Sequence, residues 1–155
     1  MTPSVLFVCL GNICRSPLAE AAFRRETERL GLAVEVDSAG TAQWHVGKPP
    51  DARAIAAARR AGVDISNQRA RQVAPADFHR FERIVAMDAD NLAALERMRP
   101  PEARAELSLL LDNVEGRSGQ GVADPYHGGD DHFDATWADV SCGARALARA
   151  IGRRR

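Results

Sequence analysis

Apolar positions fall into two regimes along the chain. Some form short unbroken runs, the mark of a strand covered on both faces; others return every three or four residues, the mark of a helix with one buried stripe. Val5-Leu6-Phe7-Val8 is of the first kind and predicts a buried strand. Residues 17–30 are of the second kind: Leu18, Ala19, Ala22, Phe23 and Leu30 turn inward, and Arg24, Arg25, Glu26, Glu28 and Arg29 turn outward. Pro17 is expected at the first helical position, where a missing N–H costs little, and Gly31 ends the helix. Residues 33–37 predict a second strand, 51–61 an alanine-rich helix stopped at Gly62, 81–87 a third strand and 107–111 a short fourth. Asp88 is placed to cap a helix running through Met98, which Pro100 and Pro101 break. The last helix, 133–151, sets Trp137, Val140, Ala144, Leu147 and Ile151 on one stripe, a core face with Cys142 read as a core residue.

Strands that alternate with helices predict an α/β fold: a three-layer α/β/α sandwich around a central four-stranded parallel sheet, Rossmann-like or flavodoxin-like. The length, 155 residues, suits one domain spanning 1–155, able to bury about two-thirds of its unfolded surface. In open parallel sheets, ligands bind beyond the carboxyl ends of the strands. Cys9, Ser38 and Asp88 fall at such ends.

Charge narrows the partners. The 21 basic and 21 acidic residues cancel, so no global field draws the molecule to nucleic acid or to an anionic membrane, and anion binding has to be local. Three cysteines without zinc-type pairs fit a reducing compartment, and no basic region followed by a long apolar stretch opens the chain; the expectation is a cytoplasmic protein without membrane insertion. Arg153-Arg154-Arg155 reads as a solvated helix end. Monomer is the default, with weak self-association left open.

The chemistry concentrates in Cys9-Leu10-Gly11-Asn12-Ile13-Cys14-Arg15-Ser16-Pro17, between the first strand and the first helix. Gly11 and Asn12 tolerate the backbone angles of a tight turn. Amides of residues 10–16 would converge on one point, the helix N-terminus adds partial positive charge, and Arg15 offers a fork to a tetrahedral oxyanion. The same field favours a thiolate at Cys9, a nucleophile at the base of a phosphate cradle. No Gly-Lys-Ser/Thr follows, which excludes a P-loop nucleotidase. His127, Asp130, Asp131 and His132 lack zinc spacing, so neither a metal nor another cofactor is expected.

This loop closely resembles that of the low-molecular-weight protein tyrosine phosphatases, with the chain as a bacterial-type member. Ser38-Ala39-Gly40-Thr41, Trp44-His45-Val46-Gly47, Ala70-Arg71-Gln72, Met87-Asp88 with Asn91, and Asp124-Pro125-Tyr126 are similar to that family's segments in the family's order. The resemblance implies hydrolysis of tyrosine-phosphorylated proteins and aryl phosphates through a cysteinyl-phosphate on Cys9. Arg15 would bind the phosphoryl group with Leu10, Gly11, Asn12, Ile13, Cys14 and Ser16. Expulsion of the leaving oxygen needs a proton, and the resemblance assigns Asp124 as the acid that later serves as base. It also implies pocket walls at Leu10, Ile13, Trp44 and Tyr126, loop support from Asn12, Ser16, Ser38 and Gln68, and a reversible Cys9–Cys14 disulfide guarding the nucleophile. Two positions depart from the family. Gln68 stands where histidine is common, so its support of Asn12 would not titrate; His127 stands where some relatives have a second tyrosine, which puts paired tyrosine phosphorylation in doubt.

Three rivals share the loop. An arsenate reductase needs a cysteine relay, for which only Cys14 and the remote Cys142 are available. A cysteine-phosphorylated phosphocarrier needs no leaving-group acid, and a non-catalytic phosphate-binding module needs neither Cys9 nor Asp124.

Overall fold

Strand β1 (Ser4–Cys9), buried at every position, is the centre of a parallel sheet. It is flanked by β2 (Glu35–Gly40) on one side and by β3 (Arg83–Ala86), then β4 (Glu106–Leu109), on the other. The computed structural model describes residues 2–154. Successive side chains of β1 enter opposite layers, as strand geometry requires. Val5, Phe7 and Cys9 join one core cluster with Leu18 and Phe23 of α1 (Arg15–Leu30) and Val140 and Leu147 of α5 (Asp130–Arg153). Leu6 and Val8 join the other, with Phe78 of α3 (Asp77–Arg80) and Leu95 of α4 (Ala89–Met98). Helix α2 (Ala52–Arg60) packs its alanines on the first side. The expected three-layer α/β/α arrangement with four parallel strands is what forms.

Several boundaries move, each for a tertiary reason. Helix α1 starts at Arg15, so Pro17 is its third residue and Ser16 lies inside the helix; the first N–H groups of a helix have no internal partner, and proline is tolerated there. Gly31 closes α1 at φ 68°. Glu26, expected in water, is buried beside Arg29 at 2.6 Å and Arg145 of α5 at 3.7 Å, while Leu30, expected inside, is exposed. The α5 helix lies along α1 and shifts the buried stripe toward Glu26. Strand β2 runs later than expected because its pairing with β1, from Ser4–Glu35 to Cys9–Gly40, carries it through Ser38 and Gly40. Phe81 and Met87 stay in the core but outside β3, and β4 gives way to a 3-10 turn at Leu110–Asn113. Helix α5 extends beyond both expected ends, and Cys142 on it is half-buried rather than core. Helix α3 carries no sequence pattern that predicts it. Of the basic run, Arg153 and Arg154 are exposed and Arg155 lies outside the described residues. Among the described residues, no helix is long and apolar enough to cross a membrane.

At the carboxyl end of β2, Gly40 presses on the backbone that follows β1. A Cβ there would lie 2.8 Å from the carbonyl oxygen of Leu10 and 3.1 Å from the carbonyl carbon of Gly11. Backbone cannot rotate aside as a flexible side chain would, so the smallest addition has to displace the loop. Gly40→Ala is expected to lower stability by about 1–3 kcal/mol. Urea unfolding checks this; an unchanged midpoint would show that loop and sheet give more than the contact allows.

Candidate active site

The segment between Cys9 and Arg15 turns tightly because of one residue. Asn12 holds φ 57°, a left-handed conformation that asparagine tolerates better than most side chains. Its amide locks the turn from behind. Nδ2 donates to Ser16 Oγ at 2.8 Å and to Ser38 Oγ at 3.0 Å, and Oδ1 accepts the Arg71 N–H at 3.0 Å. Gly11, expected to share the turn's unusual angles, does not need them; its space is required instead, since a Cβ there would meet His45 at 2.9 Å.

Carbonyl directions set the amide directions. The Cys9 oxygen accepts from the Thr41 N–H, that of Leu10 from the Ala42 N–H and that of Ile13 from the Asp51 N–H, all outside the loop. In a trans peptide the following N–H points the opposite way, so the amides of Leu10, Gly11 and Cys14 turn away from those anchors. Cys9 Sγ sits at the base, 3.0 Å from Ser16 Oγ and 3.3 Å from the Asn12 N–H. Ser16 is thus a partner of the sulfur.

Arg15 is 3% exposed and held at two points: its Nη1 donates to Asp88 Oδ2 at 2.6 Å and to the Val122 carbonyl at 3.0 Å. Burial works against its charge, but Cys9, the Asp88 hydrogen bond and Asp124 together raise its pKa above the ordinary arginine value. The other nitrogen, Nη2, stands 3.6 Å from Asp124 Oδ2. Leu10, Ile13, Trp44 and Tyr126 line one cavity of about 380 Å³ together with Cys9, Cys14, Arg15 and Asp124. Trp44, 67% exposed, and Tyr126, 42% exposed, are open walls at its mouth.

Burial pushes the Cys14 thiol well up, with Asp51, Cys9 and Asp124 adding in the same direction, so it stays protonated. Both loop cysteines are free and buried. Among the described residues, no three His, Cys, Asp or Glu side chains gather as a metal ion requires.

Gln68 is the expected site residue that the fold takes elsewhere. Its Nε2 donates to the Pro17 carbonyl at 3.2 Å, its Oε1 is buried without a hydrogen-bond partner, and it makes no hydrogen bond to Asn12, whose amide is already engaged by Ser16, Ser38 and Arg71. Sequence reasoning missed Glu20, which accepts the Ser38 hydroxyl at 2.8 Å; burial raises its pKa against the opposing Ser38 and Arg24 bonds. It also missed the Asp88 grip on Arg15 and the pocket position of His45. Glu20 sits one helical turn after Ser16, on the same face, which is the signal that could have found it.

Residues 4–155 match the family model described as low molecular weight phosphotyrosine protein phosphatase. A phosphatase of that description from Schizosaccharomyces pombe is 44% identical over 132 residues, 83% of this chain and 84% of its own. The low molecular weight protein-tyrosine-phosphatase YfkJ of Bacillus subtilis is 41% identical over 150 residues, 96% of this chain and 95% of its own. The crystal structure of YfkJ superposes with a TM-score of 0.92 at 38% identity, covering 100% of this chain and 98% of that one. A structure of the arginine phosphatase YwlE with a phosphorylated active-site serine has a TM-score of 0.89 at 28% identity, covering 98% and 97% of the two chains.

Asn12→Ala loses three buried hydrogen bonds and places alanine at positive φ; it is expected to weaken inorganic phosphate binding by about tenfold or more. Gln68→Ala is expected to change it by less than about twofold, having no bond to the turn. Calorimetric titration with phosphate checks both, and equal losses would mean that Gln68 supports the turn after all.

Proposed function

The chain belongs to the low molecular weight phosphotyrosine protein phosphatase family, and from that membership we propose how its pocket works and on what. The substrate is a phosphotyrosine monoester on a protein, with small aryl phosphates as simpler substitutes. Cys9 attacks phosphorus as the thiolate while the loop amides and Arg15 hold the three equatorial oxygens. Asp124 gives its proton to the departing phenolic oxygen. The resulting cysteinyl-phosphate is hydrolysed by water, whose proton returns to Asp124, and phosphate leaves with the thiolate restored.

The observation that carries this reading is that Cys9 and Asp124 line one cavity with Arg15 within 3.6 Å of the carboxylate. Nucleophile, charge stabiliser and acid therefore meet where one phosphate ester can touch all three. Asp124, with a side chain 46% exposed, is free to meet a leaving group arriving from solvent. Leu10, Ile13, Trp44 and Tyr126 offer apolar walls suited to a flat ring. The phosphorylated serine named for the YwlE structure supports a covalent intermediate at the nucleophile's position. A phosphocarrier has no use for the acid. A relay through Cys142 is disfavoured because that residue lines a separate groove with Asn113 and Arg145.

We also propose that oxidation of Cys9 by a peroxide to the sulfenic acid is resolved by Cys14, closing a disulfide with loss of water, and that the enzyme works in the reducing cytoplasm, where cellular thiols reopen this bond by exchange. Burial keeps Cys14 protonated, so its thiolate fraction rises with pH through neutrality and the closure accelerates in the same direction.

Hydrolysis of 4-nitrophenyl phosphate and of phosphotyrosine peptides without added metal is expected, with phosphoarginine a poor substrate. Cys9→Ser or Arg15→Ala should abolish turnover and Asp124→Ala lower it by about 100-fold or more. Full turnover by Cys9→Ser protein would rule the mechanism out. In Asp124→Ala protein, phosphate trapped on Cys9 should pass slowly to water; passage only to a partner protein would make the chain a carrier.

Peroxide followed by peptide mass mapping should reveal a Cys9–Cys14 link, with resolution of the oxidised Cys9 faster at higher pH. Absence of the link would remove the guard.

A further inference from the structure

Asp124 has few contacts of its own: one carboxylate oxygen accepts the Tyr126 N–H at 3.1 Å and the other stands 3.6 Å from Arg15. Its place over the pocket is set by the two ends of its loop. On the near side, the Val122 N–H donates to the Met87 carbonyl at 2.7 Å and the Val122 carbonyl accepts from Arg15 at 3.0 Å. On the far side, the Gly128 N–H donates to the Pro125 carbonyl at 2.8 Å, closing a turn, and the Gly128 carbonyl accepts from Arg53 Nη1 at 2.9 Å.

Arg53 belongs to another element, the first turn of α2. Its Nε and Nη2 grip the two oxygens of Asp51 at 3.0 and 2.9 Å, a planar fork on a carboxylate. The Asp51 N–H in turn donates to the Ile13 carbonyl at 2.8 Å, inside the phosphate loop. The guanidinium also lies 4.6 Å over the ring of Phe133 and 5.6 Å from the centre of Tyr126. One continuous path, Ile13 to Asp51 to Arg53 to Gly128, therefore ties the loop that carries the nucleophile to the loop that carries the acid.

We propose that Arg53 is a positioning residue for proton transfer, fixing Asp124 relative to the phosphorus held above Cys9. The proposal rests on the reading of Asp124 as general acid. Arg53 does not line the cavity and touches no substrate; it acts through the far tether of the acid's loop. The near tether cannot be tested separately, because Arg15 also binds the phosphoryl group. The far one can.

A leaving group that departs unaided does not need the acid, so misplacing Asp124 harms only esters of poorer leaving groups. Compare kcat/KM of Arg53→Ala, Asp124→Ala and the double variant on phenyl phosphate and on 2,4-dinitrophenyl phosphate. Arg53→Ala is expected to lose about tenfold on the phenyl ester and less than about twofold on the dinitrophenyl ester, with no further loss when added to Asp124→Ala. The ratio of the two substrates within one preparation is independent of the folded fraction, so a destabilised variant still gives an answer. An equal loss on both esters, or none on either, overturns the role of Arg53. If Asp124→Ala itself shows no dependence on leaving group, the general-acid reading fails and this proposal fails with it.

Discussion

The loop after β1 has to bring its N–H groups to one point, and left-handed backbone at Asn12 is what permits it. For an L-residue this conformation costs roughly 1–2 kcal/mol. Three hydrogen bonds made by the same side chain, two donated to Ser16 and Ser38 and one accepted from the Arg71 N–H, offset it at about 1 kcal/mol each. These partners come from α1, β2 and the segment after α2, so the turn exists only once the sheet and its helices are assembled. Ser38 is held in turn by Glu20. The loop is folded from behind before any ligand arrives.

Buried charge is the second demand. A guanidinium as shielded as that of Arg15 costs several kcal/mol unless it is paired. Asp88 supplies the pairing through Oδ2 and, through Oδ1, accepts the Asn91 N–H at 2.8 Å to cap α4. One carboxylate thus terminates a helix and aims the arginine. The other nitrogen of the guanidinium stands 3.6 Å from Asp124, and Cys9, the Asp88 hydrogen bond and Asp124 raise the arginine's pKa despite its burial. On the proposed mechanism, a phosphoryl group entering the cavity would meet a cation already oriented, leaving little reorganisation for the reaction.

What was legible in the chain had local causes. The apolar run of β1, the Asp88 cap and the spacing from Cys9 to Arg15 each declare themselves within a few residues. Signals that depend on distant partners were misread. Glu26 and Leu30 exchanged places because α5 lies along α1, a contact that one helix's periodicity cannot reveal. Gln68 was aligned with a supporting residue, yet Asn12 is held by Ser16, Ser38 and Arg71, and the Gln68 amide donates to the Pro17 carbonyl instead. Ser16, expected to support the loop, does so from inside the helix, which begins at Arg15 and turns the hydroxyl to the sulfur and to Asn12.

Register joins these observations. Parallel pairing sets Phe7 against Ser38 and Cys9 against Gly40. A slip of one residue would reverse the face of every β2 side chain. It would turn the Ser38 hydroxyl away from Asn12 and bring the methyl of Ala39 or the hydroxyl-bearing side chain of Thr41 to the place where only a missing Cβ fits beside the Leu10 carbonyl. Apolar packing alone would oppose that slip weakly at this end of β2, where the residues are small. The Asn12 and Glu20 bonds to Ser38 and the close approach at Gly40 oppose it locally, so the features that shape the phosphate loop are also those that hold the strand beside it in register.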